Sequence, residues 1–191
     1  MSHTEQAIAM SQTLLQQQGF DVKPNHKFTP EFTTDAFAIK KGRSMGVLPY
    51  TDFFFLHDFD TRKNAPSTLQ GLHQKARQYA NGQYVTPKIL RLAVPNIATI
   101  AFSSDGFSEE MVHQVEKPTR SLMGGEIHGM YLIDLANFAV YSQGISLTYI
   151  VGEARLIWGS QKEFKTINPQ NRAYYSIKAI AEAIFKQLNN H

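Results

Sequence analysis

The residues best suited to chemistry in this sequence lie in one short segment. His57, Asp58 and Asp60 fall within four positions, and carboxylates together with an imidazole are common ligands of divalent metal ions. If the segment is a strand, successive side chains alternate between its faces, so His57 points away from both acids. A metal site here therefore requires a bend in the chain. The alternative is a polar strand end that leads into a loop at residues 61–66.

Other familiar motifs of catalysis are missing. The remaining histidines show no HExxH spacing, and the chain has no GxSxG, GxxxxGK[ST] or GxGxxG motif. The chain also has no cysteine, which excludes disulfides, thiolate zinc sites and cysteine nucleophiles. Gly124 and Gly125, followed by Glu126, predict a tight turn. That turn either brings backbone close to a ligand or simply leads into a strand.

Basic residues are concentrated in one part of the chain. Residues 40–91 carry nine Lys or Arg and three Asp, a net charge of +6, whereas the whole chain has a net charge of +3. Clustered cations are typical of surfaces that bind nucleic-acid phosphates. We expect Lys40, Lys41 and Arg43 to be the residues that contact DNA. The alternative is a solvated helix face followed by a loop.

Length and composition indicate an ordinary globular protein. The chain has 191 residues, of which 42% are hydrophobic and 18% charged, and this balance favours one domain over residues 1–191. Its apolar runs are far shorter than the ~20 residues that a transmembrane helix needs, and its N-terminus does not resemble a secretory signal. We therefore expect a cytoplasmic protein without membrane contact, and the absence of cysteine is consistent with a reducing compartment.

The spacing of apolar residues predicts an α/β fold with a mixed central sheet flanked by helices. Residues 53–56 are apolar on both faces, which is typical of a strand covered on both sides, so we expect the strand at 47–59 to be central. It forms a hairpin with a strand at 35–40 through a turn at 41–46, which contains Gly42 and Gly46. Pro24 and Pro30 favour an edge strand before that hairpin. Helices are predicted at 4–18, at 68–80, after Ser108 and from 169 onward, and further strands at 92–102, 129–135, 138–141, 147–151 and 156–158.

This order of elements resembles the restriction-endonuclease-like fold of the PD-(D/E)XK nuclease superfamily, over roughly residues 4–135. The resemblance rests on the opening helix, the hairpin arms around Asp35 and Asp52, the helix at 68–79 and the strand at 97–103. In that family two acidic residues of the hairpin bind a divalent metal ion, and a nearby lysine helps to activate the attacking water. The resemblance implies that Asp35 and Asp52 are metal ligands, that Mg²⁺ is the cofactor and that DNA is the substrate.

The sequence departs from the family's motif at the catalytic lysine. Phe54 stands two positions after Asp52, where the family has Lys, and an apolar ring cannot replace a cation. We assign Lys40 to the catalytic set in its place, together with Asp35 and Asp52. Lys41 is an alternative to Lys40, and the second acid is alternatively supplied by Asp58 or Asp60.

Two functions from different classes remain open. The first is a nuclease-like domain that binds DNA or acts as a metal-dependent phosphodiesterase with a degenerate site. The second is a non-catalytic domain that works through protein–protein contact or as a homo-oligomer. The residues alone do not decide whether the chain is an enzyme.

Overall fold

The eight strands in the described part of the chain lie in one sheet. The computed structural model describes residues 1–44, 48–85, 95–116, 126–142, 145–150, 153–158 and 172–189. The strands are β1 (Asp21–Thr29), β2 (Phe32–Ser44), β3 (Leu48–Asp58), β4 (Pro95–Ser103), β5 (Ile127–Asp134), β6 (Ala139–Ser142), β7 (Ile145–Ile150) and β8 (Glu153–Trp158). The described helices are α1 (His3–Gln17), α2 (Pro66–Gly82), α3 (Glu109–Glu116) and α4 (Arg172–Leu188).

The sheet is mixed, and its strands lie side by side in chain order. β1, β2 and β3 form an antiparallel meander, and β5 to β8 form another. Between them β3, β4 and β5 run parallel, because α2 and α3 connect them and return the chain to the same end of the sheet. The prediction of an α/β fold with a mixed central sheet flanked by helices is therefore confirmed.

Helices cover both faces of this sheet. α1 and α4 pack on one face, where Phe54 and Leu56 of β3 are buried, and α2 packs on the other, where Phe53 and Phe55 are buried. Alternation along β3 sends successive rings to opposite faces, so four consecutive apolar residues serve two cores. β3 lies between β2 and β4 with cover on both faces, as its apolar run predicts.

The helix ends follow their sequence signals. α1 begins with a capping box, in which the Ser2 hydroxyl accepts the Glu5 N–H while the Glu5 carboxylate accepts the Ser2 N–H. Gly19 follows the helix with φ of +84°, a conformation that glycine adopts without steric cost. Pro66 opens α2 at its first turn. None of the described helices is long and apolar enough to cross a membrane.

β1 forms one edge of the sheet, as its prolines predict. Pro24 lies within the strand, and Asn25 takes a left-handed conformation with φ of +46°. Lys23 and Lys27 on either side of them are exposed. β1 is thus an irregular and charged edge.

The remaining differences from the predicted elements concern their boundaries. β2 is longer at both ends than the predicted strand at 35–40, and it continues through Gly42 to Ser44, where we expected the turn. Part of that turn, the start of the predicted strand at 92–102, the Gly124-Gly125 pair and the start of the helix predicted from 169 lie outside the described residues. Glu126, which follows the glycine pair, is described.

Candidate functional site

Lys40 and Asp52 come together at the end of the sheet where the parallel strands begin. They are direct partners in the pairing of β2 with β3. Asp52 is buried, and its Oδ1 accepts a hydrogen bond of 3.4 Å from Asn96 on β4. The Lys40 ammonium donates to the carbonyl oxygen of Gln18 at 2.6 Å and lies 5.5 Å from the centre of the Phe20 ring. Lys40 is therefore engaged with the end of α1.

Asp35 lies at the opposite end of the same hairpin. Its Oδ2 accepts the backbone N–H of Asp58 at 2.8 Å and forms an ion pair with Arg62 at 3.2 Å. Asp58 is six residues after Asp52 on β3, about 20 Å at the rise of a β-strand. Since Mg²⁺ binds oxygen ligands at about 2.1 Å, one ion cannot contact both Asp35 and Asp52 in this arrangement. The structure thus places Lys40 beside Asp52, whereas Asp35 lies far from both of them.

Two further acids, Asp58 and Asp60, follow at the end where β3, β4 and β5 finish. The Asp58 carboxylate accepts the Thr4 hydroxyl at 3.3 Å and the Asp60 N–H at 2.9 Å. Burial raises the pKa of Asp58, opposed by the hydrogen bond from Asp60. Burial also acts to raise the pKa of Asp60, but hydrogen bonds from Ser104 and Ser103 outweigh it and lower that pKa. The same end of the sheet therefore holds two carboxyl groups with opposite pKa shifts.

These acids hold the loops beyond the strands. Asp60 accepts the Ser103 hydroxyl at 2.8 Å and the Ser104 N–H at 3.0 Å, which ties the end of β3 to the end of β4. Asp134 accepts the N–H of Asn137 at 2.9 Å, which closes the turn after β5. Within the described parts of the chain, no three His, Asp or Glu side chains are grouped so that they could hold a metal ion.

A second polar cluster, which the sequence analysis missed, lies between α2 and β5. Glu126 is only 4% exposed, and its carboxylate accepts hydrogen bonds from Arg77 Nε at 2.9 Å, from Arg77 Nη2 and from Asn81 Nδ2. Arg77 and Asn81 are four residues apart and therefore share one side of the helix. The ion pair fixes the C-terminal half of α2 to the start of β5.

His73 continues this cluster one turn earlier on α2. Its Nδ1 lies 2.8 Å from the Thr99 hydroxyl on β4, and its Nε2 lies 2.9 Å from Nδ1 of His128 on β5. Burial, followed by the nearby His128 and Arg77, lowers the pKa of His73 from 6.5 to about 3. The ring is therefore neutral at pH 7 and acts as both donor and acceptor. The spacing of His73, Arg77 and Asn81 is the one signal in the sequence that points to this cluster.

The neutral His73 should make stability depend on pH. Its folded pKa of about 3 lies below the unfolded value of 6.5, so between these values the unfolded chain binds more protons and stability falls as pH falls. His73→Gln should reduce the slope of unfolding free energy against pH by about 1.4 kcal/mol per pH unit in this window. Urea unfolding between about pH 6 and pH 4 measures it. Equal slopes for both proteins would contradict the prediction.

The hairpin of β2 and β3 projects beyond the described residues of the strands beside it. β1 reaches only as far as Ile39 of β2, and β4 begins opposite Thr51 of β3. Three residue pairs extend farther, and we call them the ribbon: Gly42 with Tyr50, Arg43 with Pro49, and Ser44 with Leu48. A Cβ atom on Gly42 would lie 2.5 Å from the Tyr50 ring, so the glycine allows that ring to lie across the backbone.

Two exposed cations mark the ribbon and its base. Lys41 and Arg43 are exposed and, two residues apart on a strand, they point to the same side. Within the described part of the chain, neither side chain forms an ion pair. Of the three predicted DNA contacts, Lys40 is therefore bonded to Gln18, whereas Lys41 and Arg43 have no ion pair with a described residue.

The chain matches no family model, no curated protein and no solved structure.

Proposed function

We propose that this chain binds duplex DNA through the ribbon and its cations Lys41 and Arg43. The observation that carries the proposal is the projection of a two-stranded ribbon past the described residues of both neighbouring strands. The major groove of B-DNA is about 12 Å wide and admits such a ribbon. Lys and Arg placed there release condensed counterions from the phosphates, which drives binding irrespective of base sequence.

The pattern of ion pairs supports this choice of surface. Of the basic residues of the stretch 40–91 that the structure describes, four have intramolecular partners, namely Lys40, Arg62, Lys75 and Arg77. Lys41 and Arg43 lie on or beside the ribbon, without such partners. A cation that already bonds to protein offers less to a phosphate. Of the three other described cations of this stretch, Lys63 lies in the loop after β3, at the opposite end of the hairpin from the ribbon, which leaves Lys41 and Arg43 as the DNA-binding charge.

The proposal does not include magnesium-dependent cleavage. Asp35 and Asp52 lie at opposite ends of the hairpin, and Asp35 already pairs with Arg62. Two carboxylates that cannot share an ion leave an attacking water without the activation that a metal site supplies. We expect binding without cleavage of duplex DNA in the presence of Mg²⁺.

Salt-dependent binding tests the proposal. Lys41→Gln combined with Arg43→Gln should weaken binding of a labelled duplex and make the plot of log affinity against log salt shallower by about 2, since each lost phosphate contact changes the slope by ~0.9. Fluorescence anisotropy between about 50 and 200 mM salt measures both quantities. Lys40 is left in place because its ammonium bonds to Gln18.

The matched control removes the same charge away from the ribbon. Lys63 and Lys186 are exposed and form no ion pair with a described residue, so Lys63→Gln combined with Lys186→Gln should leave the slope nearly unchanged. An equal loss in both variants would refute the ribbon as the contact surface. Absence of binding by the natural chain at low salt would refute DNA binding itself and favour the protein-interaction or homo-oligomer alternative.

A further inference from the structure

His57 is a fully buried histidine whose ring nitrogens have no hydrogen-bond partner in the described part of the chain. Its side chain is 0% exposed at the end of β3, and neither Nδ1 nor Nε2 bonds to any described residue. The Nε of Arg62, in the loop that follows β3, is likewise buried and bonds to none of the residues that the structure describes. Three polar atoms of two neighbouring side chains are thus left unsatisfied, although buried polar groups in native proteins are nearly always bonded.

These atoms belong to one cluster that includes Asp35. Arg62 donates through Nη2 to Asp35, and Asp35 and His57 directly adjoin the paired residues Ala36 and Leu56. The Arg62 cation lies close enough to act with burial in lowering the pKa of His57 to about 3. The imidazole is therefore neutral at pH 7, with one nitrogen that donates and one that accepts.

A hydroxyl group matches two of these three atoms at once, namely Arg62 Nε and the unprotonated ring nitrogen of His57. Arg62 Nε–H is a donor, so its partner must offer a lone pair. The unprotonated nitrogen of His57 is an acceptor, so its partner must offer a hydrogen. An O–H group does both at once, whereas a carbonyl or carboxylate oxygen satisfies only the donor.

We propose that His57 and Arg62 form a binding site for one hydroxyl oxygen, which accepts from Arg62 Nε–H and donates to the ring of His57. The site lies at the carboxyl end of the parallel strands, where ligands of open α/β sheets bind. The side chains of Arg62 and Asp35 are 24% and 30% exposed, so the cluster reaches solvent on that side. The oxygen belongs either to a water molecule or to the hydroxyl of a small alcohol or polyol.

Nuclear magnetic resonance of the full chain with ¹⁵N-labelled histidine tests the site. The ring of His57 should show magnetisation transfer from a bound hydroxyl or water, and the signal should be lost in Arg62→Lys, which keeps a cation beside Asp35 but removes Nε–H. His73 is the internal control, because it is also buried but both its ring nitrogens have protein partners. Its ring signals should be the same in both proteins.

Titration with glycerol separates the two sources of the oxygen. A change in the ¹⁵N shifts of His57, with none for His73, assigns the site to a ligand hydroxyl, whereas a persistent water contact that glycerol does not alter assigns it to an internal water. A His57 ring with neither water contact nor response to glycerol would overturn the proposal. His57→Phe, which keeps an aromatic ring beside Phe32, should remain folded and bind DNA as the natural chain does, so this test is independent of the ribbon.

Discussion

Removal of residues 169–191 should leave the chain unable to fold. This deletion takes away α4, whose apolar side covers the same face of the sheet as α1. Each large apolar side chain that the helix buries contributes about 1.5–3 kcal/mol. The loss of four such side chains is comparable to the whole free energy of unfolding of an ordinary domain, which is about 5–15 kcal/mol. The buried large residues are Ile177, Ile180, Ile184 and Phe185. Soluble yield and circular dichroism of the truncated chain measure the effect.

Point variants within α4 distinguish the effect of losing buried apolar side chains from the effect of shortening the chain. Ile180→Ala should lower the free energy of unfolding by about 2–5 kcal/mol, because Ile180 is 0% exposed. Lys186→Ala, on the exposed side of the same helix, should change it by less than about 0.5 kcal/mol. A truncated chain that stays folded and monomeric would show that α4 is an appendage.

Arg77→Leu should destabilise the protein by about 3–5 kcal/mol, because it removes the cation that pairs with a buried carboxylate. Glu126 is almost fully buried, and Arg77 forms an ion pair with its carboxylate. Asn81 remains as a donor but carries no charge. Urea unfolding at neutral pH measures the loss.

Lys75→Leu supplies the control two residues earlier on the same helix. Lys75 lies 4.0 Å from Glu31, whose side chain is 86% exposed, and ion pairs of this kind contribute about 0–1 kcal/mol. Comparable losses for Lys75→Leu and Arg77→Leu would mean that the helix itself, and not the buried pair, accounts for the effect.

The elements that could be predicted from the sequence are those fixed by local patterns. The Phe53–Leu56 run requires cover on both faces wherever its strand lies, and the apolar stripe of α4 requires a sheet to pack on. Pro24 predicts an edge strand because it cannot donate a ladder hydrogen bond. Such signals depend on residues within a few positions of one another, so they can be interpreted without knowledge of the tertiary fold.

The expected convergence of Asp35 and Asp52 depended instead on the register of the hairpin. Residues of an antiparallel pair face each other only when they are equally distant from the centre of the turn. The observed pair of Lys40 with Asp52 is centred on position 46, and Asp35 lies eleven residues before that position whereas Asp52 lies six after it. The sequence predicted a turn at 41–46, whose centre lies before position 46. A strand carries no local signal for its register, so the sequence could not place the centre of the hairpin correctly.

The cluster around Glu126 could not be derived from local patterns for a related reason. His73, Arg77 and Asn81 share a helix side, but Glu126 and His128 are some fifty residues later. Their meeting requires β5 to lie beside β4 in parallel, under α2. Only the topology of the whole sheet determines that neighbourhood.

The irregular edge formed by β1 bears on how copies of this chain could assemble. A regular edge strand offers unpaired backbone groups on which a second sheet can extend, and natural proteins prevent this with proline, bulges and lysine. Pro24, the left-handed Asn25 and the exposed Lys23 and Lys27 supply these features along β1. Extension of the sheet through β1 is thereby opposed, so a homo-oligomer of this protein would have to form through another surface, of which the opposite edge of the sheet at β8 is one.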